Sequence, residues 1–291
     1  MLPVPEQLNV LITGCSSGFG ELAALTFADR GHRVFATMRT QGKSSALNSR
    51  PDITQVALDV CDDASVRAAL ATVAAAVADT TGRIDVVVNN AGIELHGAVH
   101  LASDDEVLRQ FDTNVFGVVR VARAVVPHLL ANGGGTIVNV GSIAGLVGPP
   151  YSGLYAASKH AVEALSEAMH FELSQQGIRV RVVEPGQFST ALGANSMHAA
   201  AMTPDTPEYA RFLRYRAAQA TLKPDDSRAD DADVTPEAQA VAEAIYAAAT
   251  EQPGRFRHLV GGDAELIATT KAAMSFDDFD TTMRAPLNWH D

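Results

Sequence analysis

A hydroxyl, a phenol and an amine stand close together in GSIAGLVGPPYSGLYAASK, residues 141–159 of the chain. They belong to Ser142, Tyr155 and Lys159. If Tyr155 opens a helix, Lys159 lies one turn further along the same face. An ammonium beside a phenol favours the phenolate, so it lowers the tyrosine pKa from about 10 towards the working pH. A phenol tuned in this way can trade a proton with an alcohol or carbonyl oxygen. Ser142, arriving from the end of a preceding strand, can hydrogen-bond that same oxygen. The chemistry then lacks only a hydride carrier.

The N-terminal stretch offers a place for one. LNVLI at residues 8–12 reads as a short apolar strand and runs into Thr13-Gly14-Cys15-Ser16-Ser17-Gly18-Phe19-Gly20. A helical pattern through Leu22, Leu25, Thr26 and Ala28 follows, until Gly31 stops it. In strand, glycine loop and helix, the glycines let the backbone approach a pyrophosphate and the helix N-terminus attracts its charge. The spacing here is Gly-x-x-x-Gly-x-Gly, and a glycine turn without a ligand is the alternative reading. A second strand, residues 33–38, ends at Arg39. An NAD site carries an acid near this point; the neutral Thr37 and cationic Arg39 favour NADP(H) over NAD(H). The alternative is that Arg39 merely faces solvent.

A third strand, residues 54–58, precedes Asp59, which can accept from an adenine amino group or cap the helix of residues 62–78. A fourth strand, residues 84–88, flows into Asn89-Asn90-Ala91-Gly92. The two asparagines suit a tight turn, and the small residues leave room for a cofactor. Residues 103–131 read as mostly helical and contain Asn114, whose amide must find partners. A strand at 136–140 delivers Ser142, the helix of residues 155–174 carries Tyr155 and Lys159, and a strand at 178–183 leads into Pro185-Gly186-Gln187-Phe188-Ser189-Thr190.

Strand and helix alternate throughout, which predicts an α/β Rossmann fold: a doubly wound parallel sheet with helices on both faces. Ligands bind at the carboxyl ends of such strands. The glycine loop, Arg39, Asp59, Asn90, Ser142 and Gly186 all follow strands and would converge there. No linker or repeat divides the chain, so residues 1–291 read as a single domain. Residues 193–233 lose the rhythm and hold Met197, Met202, Tyr209, Phe212, Leu213 and Tyr215. With the loop before them, residues 187–233 read as a helical substrate lid, or as a peripheral helix pair with its own small core. Thr235-Pro236-Glu237 starts a further helix to about residue 250. A last strand is expected at 256–260, then an acidic solvated end at 275–291, anchored by Trp289.

Composition narrows the partners. The 291 residues carry a formal charge of −12, which argues against nucleic acid or an anionic membrane. Two cysteines, Cys15 and Cys61, suit a reducing cytoplasm. Residues 1–9 lack the marks of a signal peptide, and no apolar run is expected to span a bilayer. His96 and His100 are four apart, but Gly97 lies between them and no third ligand is in view, so no metal site is expected. His96 reads better as part of the substrate cleft, and Cys15 as a small filler in the glycine loop.

Together these motifs resemble the short-chain dehydrogenases/reductases. The resemblance rests on TGCSSGFG at residues 13–20, DV at Asp59–Val60, NNAG at 89–92, Asn114, Ser142, YAASK at 155–159 and PGQFST at 185–190, in family order over roughly the first two thirds of the chain. It implies a catalytic tetrad of Asn114, Ser142, Tyr155 and Lys159. Tyr155 would be the acid or base, Ser142 would hold the substrate oxygen, and Lys159 would tune the phenol and bind the nicotinamide ribose. Asn114 would anchor a water in a proton relay. The cofactor would lie against Gly14, Ser16, Ser17, Gly18, Phe19, Gly20, Arg39, Asp59, Val60, Asn90, Ala91, Gly92, Tyr155, Lys159, Pro185, Gly186, Phe188 and Thr190. Ser142, Tyr155 and His96 would meet the substrate, an alcohol or ketone. VFATMR after the second strand and the variable C-terminal third look like the branch that acts on hydroxysteroids and retinol. A homodimer or homotetramer is implied as well. Two rivals share the fold: a nucleotide-binding regulator without chemistry, and an epimerase or dehydratase that uses bound NAD transiently.

Overall fold

Val10, Leu11 and Ile12 are all completely buried, which a strand achieves only when both of its faces are covered. They form β1 (Asn9–Ile12) in a computed structural model that describes residues 7–78, 82–188, 196–221, 236–284, 286, 287 and 289. The other main strands are β2 (Arg33–Met38), β3 (Ile53–Ala57), β4 (Val86–Asn89), β6 (Gly135–Val140), β7 (Ile178–Pro185) and β9 (Arg257–Val260). They pair in parallel in the order β3-β2-β1-β4-β6-β7-β9. The sheet grows outward from β1 in both directions, so its chain order reverses between β1 and β4. That reversal is where an open α/β sheet leaves a crevice for a ligand.

Alternation along the strands splits the core in two. Val10, Ile12, Val34 and Ala36 face α1 (Gly18–Asp29) and α8 (Pro236–Thr250), meeting Ala23, Phe27, Val241 and Ile245. Leu11, Phe35, Val87 and Ile137 face the opposite way. There they meet Val66, Leu70 and Val73 of α3 (Asp63–Ala78) and Val121, Val125 and Leu129 of α5 (Gly117–Ala131). A four-residue helix, α2 (Ser45–Asn48), lies in the stretch between β2 and β3.

Ser103 and Glu106 form a reciprocal capping box that starts α4 (Asp104–Phe111). A π-helical turn over Asp112–Phe116 joins α4 to α5. The continuous helix Asp104–Ala131 is long and apolar enough, by length and composition, to cross a membrane, contrary to the expectation from sequence. Its apolar residues are turned inward: Val118, Val121, Val125 and Leu129 are buried. The next helix, α6 (Gly153–Ser174), carries Tyr155 and Lys159 on its buried side.

The C-terminal third departs from expectation at two places. Residues 196–221 hold a strand, β8 (Met197–His198), and a helix, α7 (Pro207–Thr221). β8 pairs in parallel with β5 (Leu95–His96), a two-stranded sheet with no counterpart in the sequence reading. Ala199, Met202 and Phe212 pack there with Leu101, Tyr151 and Tyr209, so this segment has a small core of its own. The rest of the expected lid, residues 189–195 and 222–233, lies outside the described residues, as does Thr235. Beyond β9 come two helices, α9 (Gly262–Ala273) and α10 (Phe276–Arg284); the second lies in the expected solvated end, is helical and has no buried residue. Trp289 does act as an anchor, its ring meeting Tyr151 and Tyr215 edge-on at 5.9 and 6.1 Å.

Candidate active site

Thr13 ties two loops together at the carboxyl edge of β1 and β4. Its hydroxyl donates to the Val88 carbonyl and accepts the N–H groups of Asn90 and Ala91 at 3.0 and 3.1 Å. Asn90 returns the link, donating from Nδ2 to the Thr13 and Gly14 carbonyls at 2.9 and 3.1 Å. The two loops approach so closely that only glycine fits. A Cβ on Gly14 would lie 2.8 Å from Ala91 Cα, at a φ of +73°, and one on Gly20 would strike Asn90 and the Gly14 carbonyl. Ser17, the N-cap of α1, is extended and makes no side-chain cap bond. The helix N-terminus therefore keeps its N–H groups for an anion.

A cavity of about 1100 Å³ opens over this floor and collects most of the predicted residues. Gly14, Ser16, Ser17, Gly18, Phe19, Arg39, Asp59, Val60, Asn90, Ala91 and Gly92 line it, with Ser142, Tyr155, Lys159, Pro185, Gly186, Phe188 and His96. Gly20 lies beneath the floor and Asn114 behind the wall, both buried. Thr190 is outside the described residues. Phe19 and Phe188 meet edge to face at 5.9 Å. Asp59 Oδ1 accepts from the Cys61 N–H at 3.0 Å, so the capping reading holds for one of its oxygens.

Ser142 ends the loop after β6, where its Oγ accepts the Ala144 N–H at 3.1 Å. It also hydrogen-bonds Tyr155, which pulls the phenol pKa down. Burial and the Glu94 carboxylate outweigh that bond and hold the phenol above the ordinary tyrosine range. The expected lowering by Lys159 is thus absent from the balance of the protein's own groups. Lys159 Nζ donates to the Val140 carbonyl at 2.8 Å and stands 5.7 Å from the Tyr155 ring centre. Burial also lowers the Lys159 pKa to about 8, against the opposing pull of Glu163 and Glu94.

Asn114 sits in the π turn with its amide satisfied. Oδ1 accepts the Ile93 N–H at 2.9 Å, and Nδ2 donates to the Ile93 carbonyl and to Ser158 Oγ, each at 3.0 Å. Ser158 in turn donates to the Tyr155 carbonyl at 2.7 Å, so Asn114 braces both the loop after β4 and the first turn of α6.

Sequence reasoning missed four residues here. Buried Gln110 grips the same loop, donating to the Ile93 carbonyl and accepting the Leu95 N–H, both at 2.8 Å. Lys43 lines the cavity near Arg39. Asp263, in the first turn of α9, accepts the Gln187 N–H at 2.7 Å and occupies the space that a side chain at Gly186 would need. Glu94 lines the cavity two residues beyond Gly92. Only Lys43 carried a usable signal, as a second cation close after Arg39.

His96 is buried, with Nδ1 3.1 Å from Ser152 Oγ. Burial, Arg216 and His198 lower its pKa to about 4, so it is neutral near pH 7. Among the described residues no cluster of three or more His, Cys, Asp or Glu is arranged for a metal. Cys15 is completely buried, and burial pushes its thiol up, as befits a filler. Beyond Ile143, Pro149 and Phe188, which line both, a second cavity of about 390 Å³ continues from the first. Val147, Tyr215, Ile267, Phe279, Met283 and Trp289 make it largely apolar.

Residues 8–201 match the protein family described as short chain dehydrogenase. The 3-ketodihydrosphingosine reductase of Bacteroides thetaiotaomicron is 39% identical over 206 residues, 70% of this chain and 73% of that protein. Human retinol dehydrogenase 8 is 37% identical, covering 70% of this chain and 68% of its own. Among solved structures, a short-chain dehydrogenase from Streptomyces avermitilis superposes with a TM-score of 0.74 at 30% identity, covering 95% of this chain and 98% of that one. ElxO with NADP bound superposes with a TM-score of 0.69 at 27% identity, covering 91% and 99%.

Proposed function

This chain belongs to the short chain dehydrogenase family, and we propose that it is an NADP(H)-dependent oxidoreductase for a sizeable apolar alcohol or carbonyl compound. The carrying observation is that the glycine loop, Ser142, Tyr155 and Lys159 line one cavity. A nicotinamide cofactor fits the residues present: two glycines whose side chains would block the floor, and an uncapped helix N-terminus facing an anion. Bound there, it supplies the hydride.

The protein's own groups then handle the proton. In reduction the Tyr155 hydroxyl gives its proton to the substrate oxygen, which the Ser142 hydroxyl holds; in oxidation the proton returns. The raised pKa of Tyr155 keeps it protonated and ready as an acid. Lys159 supplies a positive charge to the phenolate left behind. Asn114 fixes the loop and helix that carry these groups, and the water relay implied by the family would run past it to Lys159.

Arg39 and Lys43 line the same cavity as Asp59, and two cations after the second strand favour a ribose 2′-phosphate. The second, apolar cavity suits the body of the substrate, with α7 as its lid. The relatives named for a ketodihydrosphingosine and for retinol support that substrate size. We assign the protein to the cytoplasm, where free Cys15 and Cys61 stay reduced. A dimer through α4, α5 and α6 would cover the exposed Leu108, Phe116 and Phe171.

The test follows NADPH consumption with a graded set of ketones and aldehydes. Tyr155→Phe should cut turnover by about a thousandfold, while NADPH still binds by fluorescence titration. Near-normal rates in that variant would remove Tyr155 from the mechanism.

A further inference from the structure

Glu94 puts an acid in the cleft beside the groups that handle the proton. Its negative charge opposes the loss of the Tyr155 proton. Yet the backbone on both sides of it is firmly held. Ile93 is bonded at its N–H by Asn114 and at its carbonyl by Asn114 and Gln110, and Leu95 donates its N–H to Gln110. The Glu94 carbonyl itself accepts the Met197 N–H at 2.8 Å. Two buried amides and the short β5–β8 sheet thus present one carboxylate from a fixed position, with its side chain 18% exposed to the cavity.

Among the described residues that carboxylate has no lysine or arginine within ion-pair distance: burial raises its pKa, and Arg216 and Lys159 oppose this only through longer-range charge, with a hydrogen bond from Ser152. Its nearest basic neighbour is His96, with Nε2 3.6 Å from Oε1, and His96 is neutral near pH 7. Lys159 Nζ is bonded to the Val140 carbonyl. Arg216 on α7 faces the same cavity, but it is exposed and its hydrogen bond goes to Gln219 Oε1 at 3.3 Å. A partly buried carboxylate in this state is stabilised by any cation that a ligand brings.

We propose that Glu94 is a specificity-determining residue, binding the ammonium of a substrate that carries an amine beside its keto or carbinol carbon. The assignment rests on the oxidoreductase reading and names its substrate class: an amino ketone or amino alcohol whose hydrocarbon part enters the second cavity. The ammonium serves twice. It forms charge-assisted hydrogen bonds with Glu94, and its charge offsets the field of Glu94 at Tyr155. The amine therefore favours the chemical step as well as binding.

The experiment compares a long-chain α-amino ketone with the same ketone lacking the amine, each with NADPH. Wild type should favour the amine in kcat/KM by about ten- to a hundredfold, the worth of one charged hydrogen bond. Glu94→Gln should bring that ratio close to one. Independently of any variant, a long-chain alkylammonium should inhibit wild type more strongly than the alkanol of equal length. Turnover of both ketones without a preference, or a preference kept by Glu94→Gln, overturns the role of Glu94 alone. Failure of wild type to reduce either ketone overturns the oxidoreductase reading beneath it.

Discussion

Lys159 keeps its charge only up to moderately alkaline pH, because its ammonium is buried and its pKa falls to about 8. Below that pH the charge is available to steady a Tyr155 phenolate; above it, the lysine is neutral. Reductive kcat/KM should therefore hold steady towards neutral pH and fall as pH rises through about 8. A pH–rate profile checks this, and a flat profile to pH 10 would separate the lysine charge from the rate. Lys159→Arg, with a cation that stays charged, should move the falling limb upward if geometry survives. At this scale Ser142, Tyr155, Lys159 and the glycines were legible because their chemistry is unusual at that spacing. Glu94 and Gln110 were not: an isolated acid or amide in a loop has no local pattern, and its meaning lies in what faces it.

Between residue and molecule, the C-terminal helices decide the shape of the cleft. Phe276, Phe279 and Met283 of α10 form one side of the apolar cavity, with Trp289 at its edge. Tyr151, at a φ of +62°, occupies the left-handed region that non-glycine residues avoid. It stays there because its ring is packed among Phe212, Tyr215 and Trp289, and its carbonyl accepts the Gly97 N–H at 2.7 Å. Trp289→Ala should lower kcat/KM for long-chain substrates by about tenfold, the scale of one aromatic contact, and for short ones much less. Equal losses for both would mean that Trp289 does not border the substrate. Asp277, Asp278 and Asp280 belong to an end with no buried residue, in keeping with its acidic sequence, but the helix and its apolar side do not show in that sequence. They lie on a helix whose Phe279 and Met283 face the cavity, and so short an amphipathic pattern is easily hidden by its charges.

Across the whole molecule, a buried acidic pair underlies the active-site wall. Glu184 on β7 is completely buried, side chain to side chain with buried Glu163 on α6. Arg257 on β9 stands 3.7 Å from Glu184 and 3.3 Å from Glu163. Burial, with Glu163 nearby, raises the Glu184 pKa to about 8. A carboxyl whose folded pKa exceeds its unfolded value stabilises fully below the unfolded value, about 4.3. That stabilisation is lost as pH rises through about 8. Glu184→Gln carries no charge to bury, so its melting temperature should exceed that of wild type by a few degrees near pH 8, on the order of 1–3 kcal/mol. The gap should close towards pH 4, and thermal melts across that range decide it. A constant gap would trace the effect to packing instead.

The chain by itself determined the parallel sheet, the nucleotide-binding loop and the reactive trio. Each is written in neighbouring residues: apolar runs of strand length, glycines at a turn, a phenol and an amine one helical turn apart. Tertiary structure alone decided the charge state of that trio, the acid beside it and the closure of the apolar cavity by the last helices. Those properties depend on burial and on groups brought together from distant segments, and neither is encoded in any local pattern.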